Sequence, residues 1–190
     1  MSFRKMIYAG IAIASLTGAA LRVGAESLEQ QLTRQEGFRS RAYKDRNGYT
    51  IGIGTHLGRP EARQHESELA QLGLNYSKII RKEQGVSFEQ ALWLRDQDIN
   101  KARKNAPKAI RNYDQQPQEV QDIVANMIYN MGFAGFLEFK RLRMRVETCN
   151  YAMAAEAIKR SDFYKNKLTR HRAEEMRQQM LKVAKKYTPQ

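Results

Sequence analysis

The sequence predicts an α+β fold that is mostly helical, with a small β-hairpin lobe followed by a larger helical C-terminal lobe. Three observations carry that expectation. An Asn47-Gly48 pair sits between Ala42-Tyr43-Lys44 and Tyr49-Thr50-Ile51-Gly52-Ile53, nearly everything after Thr55 has helical periodicity, and 42% of the 190 residues are hydrophobic against 28% charged, with only 4 Pro. This composition excludes collagen-like and disordered chains and supplies enough apolar material for a core. The length fits one domain, or one domain in two lobes.

The N-terminus reads as an export segment. Arg4 and Lys5 precede an uncharged run from Met6 to Leu21, sixteen residues, which as a helix would span only ~24 Å at ~1.5 Å per residue, short of the ~30 Å hydrocarbon core. Gly10, Ser15, Thr17, Gly18 and five alanines dilute it further. Two outcomes follow: cleavage after Val23-Gly24-Ala25, or a signal-anchor that slips out of the bilayer uncut.

Ser27 to Gln35 reads as a short helix ended by Gly37, a residue type favoured just past helix ends. Asn47-Gly48 is then the strongest hairpin signal in the chain. If it forms a two-residue loop, Arg46 faces Tyr49 and Asp45 faces Thr50, their Cβ atoms roughly 4.5–5.5 Å apart. Glu66 to Arg81 is helical with a break at Gly73. Ser87 and Gln90 form a capping box that opens a long helix ending before Pro107. After Pro117, the residues Val120, Val124, Met127, Ile128 and Met131 line one face of a core helix that Gly132 closes. Phe136 to Val146, Tyr151 to Arg160 and Arg172 to Lys186 complete the bundle.

The chain carries 33 Lys+Arg against 20 Asp+Glu, a net charge of +13. From 139 to 190 there are 14 basic and 5 acidic residues, a local +9. Such a surface expects an anionic partner: nucleic acid, a membrane or an acidic wall polymer. Cys149 is the only cysteine, so no intramolecular disulfide forms, and the expectation is a passive helical residue. His56, His65 and His171 lack a zinc-ligand spacing, and Gly52 and Gly54 are not followed by a phosphate-loop lysine. No metal and no cofactor is expected.

Glu36 stands at a helix C-terminus, where the dipole favours a protonated carboxyl. With Asp45 and Thr50 it offers two carboxyls and a hydroxyl around one cleft, the set that glycoside hydrolysis requires. A turn aspartate and a solvated glutamate give the same pattern, so spacing alone leaves a structural reading open.

The run Glu36-Gly37-Phe38-Arg39, Ala42-Tyr43-Lys44-Asp45 and Gly48-Tyr49-Thr50-Ile51-Gly52-Ile53-Gly54 resembles the active-site signature of the phage lysozymes of glycoside hydrolase family 24, the T-even type. The resemblance extends in order through Val86 to Ala91, Asp96 to Ile99, Asn126 to Gly132, Gly135-Phe136, Lys159 to Tyr164 and Arg170 to Glu174, about residues 27 to 182. It implies a lysozyme-like fold, with a muramidase domain at 26–190 whose hairpin lobe covers about 36–60 and whose helical lobe covers about 86–186. Further, it implies that Glu36 is the general acid and that Asp45 and Thr50 position the attacking water in an inverting hydrolysis. His56 and Leu57 would lie on the cleft rim, Tyr129 in the sugar cleft, and an arginine of the Arg170/Arg172 pair would pair with Glu36. The implied partner is bacterial peptidoglycan, cut at the β-1,4 link from N-acetylmuramic acid to N-acetylglucosamine. The expected protein is a monomer with no specific nucleic acid, exported to the periplasm and transiently held at the inner membrane by residues 1–25.

Two departures stand out. Only Arg46, Asn47, Gly48 and Tyr49 separate Asp45 from Thr50, one fewer than usual. Between Phe136 and Ser161 the chain is longer than in the T-even type, and Ala157 falls where that type has a polar substrate contact. A basic envelope- or nucleic-acid-binding protein of the same fold, without hydrolysis, is the alternative.

Overall fold

A computed structural model describes residues 26–44 and 47–187. The proposed export segment, and Asp45 and Arg46, lie outside the described residues. Helix α1 (Leu28–Glu36) starts at Ser27, whose hydroxyl accepts from the Gln30 N–H while the Gln30 side chain accepts from the Ser27 N–H. This reciprocal cap satisfies two of the donors that a helix start leaves open. At the other end the Gly37 N–H donates to Thr33 and the helix stops, leaving Glu36 as its last residue.

Strands β1 (Arg39–Lys44), β2 (Tyr49–Gly52) and β3 (Thr55–Gly58) form one antiparallel sheet in that order. The third strand is unforeseen by the hairpin reading, and it changes the register. Lys44 pairs with Tyr49, and Tyr43 with Thr50, so the strand partner of Thr50 is Tyr43 and not the expected Asp45. The cause lies at Gly48. Its φ of 146° is far from the roughly +90° of a type I′ turn, and a Cβ there would overlap the backbone carbonyl of Gly58. Gly48 is drawn against β3, whose Gly58 pairs with Tyr49, and does not turn a hairpin tip.

Helices α2 (Glu66–Gln71) and α3 (Tyr76–Ile80) flank the expected break at Gly73. They close a small core in which Ile51, Ile53, Leu57, Leu69 and Ile79 are fully buried, together with Ala91 and Leu94 from the first turns of α4 (Phe88–Ala109). At about 1.5–3 kcal/mol per large apolar side chain, that burial holds the sheet to the helices.

The Ser87/Gln90 capping box starts α4 as expected. The helix does not end before Pro107, however, but runs through it to Ala109. Pro107 forfeits one backbone bond in the last turn, while Ala106, Ala109 and Ile110 are buried and hold that turn on the core. Ile99, Ala102 and Ala106 belong to the second, larger core, so one helix serves both lobes.

The larger core is built around α5 (Gln118–Leu137), with Val120, Ile123, Val124, Ala125, Met127 and Ile128 buried. At Gly132 the backbone leaves the helical region, and a short helical stretch then resumes to Leu137. Phe136 therefore belongs to α5, and the next helix is α6 (Lys140–Glu147), shorter than the sequence suggests. Helices α7 (Tyr151–Lys159) and α8 (Asp162–Lys165) pack on α9 (Arg170–Tyr187), which itself packs on α5, with Met176, Met180 and Val183 of α9 in the same core as Ala154, Ala155 and Ile158 of α7. Cys149 is not helical: it is exposed, at a left-handed φ of 54° in the turn before α7. No helix among the described residues is long and apolar enough to cross a membrane.

Candidate active site

The C-terminus of α1, the turn between β2 and β3, and the middle of α5 meet at the junction of the two cores. Glu36 projects into that junction. Its Oε1 lies 2.6 Å from Arg172 Nη1 near the start of α9. Arg172 is itself fixed, donating 2.7 Å to Asn130 Oδ1 and 3.3 Å to the Gln35 carbonyl. Asn130 in turn donates 2.6 Å to Asn126 Oδ1 on the buried face of α5. The Glu36 side chain is only 14% exposed, so its orientation is set by this chain of contacts and not by solvent.

Gly54 completes the seat. A Cβ at this position would stand 2.8 Å from Glu36 Cγ and 3.1 Å from Oε2, and the glycine φ is +75°. Only a residue without a side chain leaves that edge of the carboxyl open. Tyr129 spans the turn from α5, its hydroxyl donating 2.7 Å to the Ile53 carbonyl. Burial pushes the Tyr129 phenol well above its ordinary value, and the charges of Asp98 and Glu36 add to that. It remains a donor at any physiological pH.

Gly54, His56 and Tyr129 line a cleft of about 220 Å³ whose far wall is His65, Asp98 and Lys101. A larger hollow of about 780 Å³ lies between the end of α5, α6 and α7, lined by Met131, Phe139, Met144, Met153 and Ala157 among others. The smaller one is the candidate site, because its lining includes the glycine and the tyrosine that touch the Glu36 region, whereas the larger is removed from them.

On the far wall His65 Nε2 is 3.2 Å from Asp98 Oδ1, and Lys101 Nζ is 2.6 Å from Glu68 and 3.7 Å from Asp98. Burial raises the Asp98 carboxyl to about 6 against the opposing pull of Lys101. Burial likewise lowers His65 to about 4, with Lys101 adding to the shift. The contact has ion-pair geometry, yet both groups move toward neutrality, because desolvation of the pair outweighs its mutual attraction. Glu68 behaves differently: burial would raise it, but hydrogen bonds from Lys101 and Ser67 take it down to about 2.

The sequence-derived residues fare unevenly. Tyr129 lines the cleft and Glu36 sits against its Gly54, and of the two arginines considered it is Arg172 that reaches Glu36, while Arg170 lies over the Tyr164 ring. Asp45 lies outside the described residues. Thr50 is buried in the central strand, 3.4 Å from His56 Nδ1. His56 is on the cleft, but Leu57 is not on its rim: strand alternation turns it into the small core, fully buried. The reading missed Gly54 as the seat of Glu36, the Asn130/Asn126 support and the far-wall cluster. Asp98, eleven residues after the Ser87 cap, and Lys101 at i+3 left a helical-face signal, whereas His65 sits in a left-handed turn that no periodicity reveals.

Two cores thus share one long helix, and a glutamate at the end of the first helix is held by a distant arginine. The phage lysozyme family model matches residues 33–175, and the chain belongs to that family. Among its relatives is the probable T4-type lysozyme 2 of Dictyostelium discoideum, 26% identical over 141 residues that cover 71% of this chain and 83% of that protein.

Proposed function

We propose that the protein is an exported muramidase that hydrolyses the β-1,4 bond from N-acetylmuramic acid to N-acetylglucosamine in bacterial peptidoglycan, with inversion at the sugar carbon. The placement of Glu36 carries this reading: a carboxyl on a helix end, one oxygen held by Arg172 and the other beside Gly54, a glycine that lines the cleft. Oε2 is then the oxygen that gives its proton to the glycosidic oxygen as the bond to the sugar carbon breaks. A water attacks that carbon from the opposite face, oriented by Thr50 and passing its proton to the Asp45 carboxylate.

Residues 1–25 serve as the export signal or releasable anchor, and the basic excess of the helical lobe keeps the enzyme on the anionic envelope, an attraction that salt screens. The test is product analysis on purified peptidoglycan. New reducing ends on N-acetylmuramic acid, released first as the α-anomer in NMR, are expected. Release of another bond type, or salt-sensitive binding without new reducing ends, contradicts the proposal.

A further inference from the structure

We propose that the turn from Lys165 to Arg170 is a contact for an anionic lipid bilayer, with Leu168 entering the acyl boundary and the surrounding cations meeting the headgroups. Leu168 is 85% exposed, the most of any large apolar side chain among the described residues, and it belongs to neither core. The other exposed apolar residues have cover nearby. Phe38 and Phe88 meet edge to face at 5.4 Å, Met144 and Met153 line the larger hollow, and Tyr187 has Lys186 Nζ over its ring. At its exposure Leu168 has no comparable cover.

The backbone holds this side chain out. Asn166 Oδ1 accepts from the Leu168 N–H at 3.0 Å, and the Asn166 carbonyl accepts from the Thr169 and Arg170 N–H groups at 3.2 and 2.9 Å. The Thr169 hydroxyl donates back to the Phe163 carbonyl at 2.5 Å. These donors are satisfied inside the turn, so burying its tip in a bilayer does not strand them.

The charge around the tip is mostly positive. From Lys159 to His171 there are five Lys/Arg and one acid, Asp162. Lys159, Arg160, Lys165, Lys167 and Arg170 are all exposed. Asp162 meets Lys165 at 3.3 Å in an exposed contact, which leaves donors of the ammonium for a second anion. Charge alone fits a wall polymer or nucleic acid as well as a lipid, and Leu168 decides between them. A soluble polyanion gains little from an apolar side chain that stays in water, whereas the acyl boundary removes it from water. Lysine and arginine stems lie along the same boundary with their heads among the phosphates. The turn opens α9, separate in sequence from residues 1–25, and the contact does not depend on the muramidase reading.

The experiment uses the full-length protein carrying Trp93→Phe and Leu168→Trp, so that a single tryptophan reports on this turn. A second protein carries Trp93→Phe and Gln71→Trp and reports on the exposed end of α2 in the smaller lobe. Both reporter positions are exposed, so the fold tolerates them, and thermal melting checks this. Vesicles of phosphatidylcholine alone, or mixed with phosphatidylglycerol, carry acyl chains brominated near the headgroup, which quench a tryptophan that enters the bilayer. Position 168 is expected to be quenched and blue-shifted on the mixed vesicles, with position 71 unchanged. Added salt should reverse the effect, as should Lys165→Gln with Lys167→Gln, each lysine contributing about fivefold. In the unmodified protein the mixed vesicles should slow amide exchange across 165–170. Position 168 staying unquenched on the mixed vesicles, whether or not the protein sediments with them, would overturn the proposal. Equal quenching at 71 and 168, or on vesicles without phosphatidylglycerol, has the same force. An emission change given by purified peptidoglycan or duplex DNA but not by vesicles would replace the lipid with that polymer and overturn it too.

Discussion

Two acids face the cleft region with nearly equal exposure, Glu36 at 14% and Asp98 at 16% of their side chains, and they are held in opposite ways. Glu36 meets a guanidinium at 2.6 Å that is itself anchored on Asn130 and the Gln35 carbonyl. Asp98 meets an imidazole at 3.2 Å that is as buried as itself, and the nearby Lys101 gives its shorter contact to Glu68. Equal burial thus yields two different objects. A permanent, pre-oriented cation fixes one carboxyl in place with an edge left open. A partner that can shed its own charge turns the other into a tie between α2 and α4, whose proton inventory and not its Coulomb energy sets its worth. In the proposed mechanism the chemistry belongs to the first acid, while the second bears on pH-dependent stability.

The largest effect that separates them is on rate. Glu36→Gln should cut hydrolysis by about 10²–10⁴-fold, the span of a positioned general acid, while leaving the melting temperature close to wild type. Next comes Gly54→Val, which sets a side chain against Glu36 Cγ at a backbone φ of +75°. A loss of roughly a hundredfold in rate follows from displacing the carboxyl, with about 1–3 kcal/mol of destabilisation visible in urea unfolding. Arg172→Gln should be milder on rate, about tenfold, since Glu36 keeps its place on α1 but loses the contact that aims it; steady-state kinetics should show the fall in kcat.

The smallest effects are on stability against pH. The folded Asp98 value of about 6 lies above its ordinary 3.8, so its contribution is fully present below about pH 4 and is lost as pH rises through 6. For His65 the folded value of about 4 lies below the ordinary 6.5, so its contribution is present above pH 6.5 and lost as pH falls through 4. In the intact protein the two slopes oppose each other. Asp98→Asn should expose the His65 slope, with stability rising from pH 4 to 6.5, and His65→Gln should expose the Asp98 slope, with stability falling from pH 4 to 6. Each change should amount to about 2–3 kcal/mol in denaturant titrations. Parallel slopes in the two variants would break the contrast drawn between the acids.

Local chemistry made much of the fold legible. The Ser87/Gln90 box, the breaks at Gly37 and Gly73 and the apolar face of α5 are all decided within a few residues, and the sequence carries them. The sheet was legible only in part. Asn47-Gly48 has the composition of a hairpin tip, but a third strand pairing Gly58 with Tyr49 takes Gly48 for itself, and a two-strand argument has no access to that competition. Pro107 is the same lesson in a helix: a residue that ends isolated helices is carried through by buried Ala106 and Ala109. At the site, Glu36 was visible through its place at a helix end, and its partner Arg172 through resemblance alone, since more than a hundred residues separate them. The basic count of the last segment suggested a docking surface only, although Arg172 from that segment turns inward to Glu36.

The central claim, that Glu36 and not its equally buried neighbour does the chemistry, is tested most directly by the ratio of hydrolysis rates of Glu36→Gln and Asp98→Asn on the same peptidoglycan at pH 7. A ratio of a hundredth or less, with both proteins folded, is the predicted result. Equal rates, or a folded Glu36→Gln that outpaces Asp98→Asn, would contradict it.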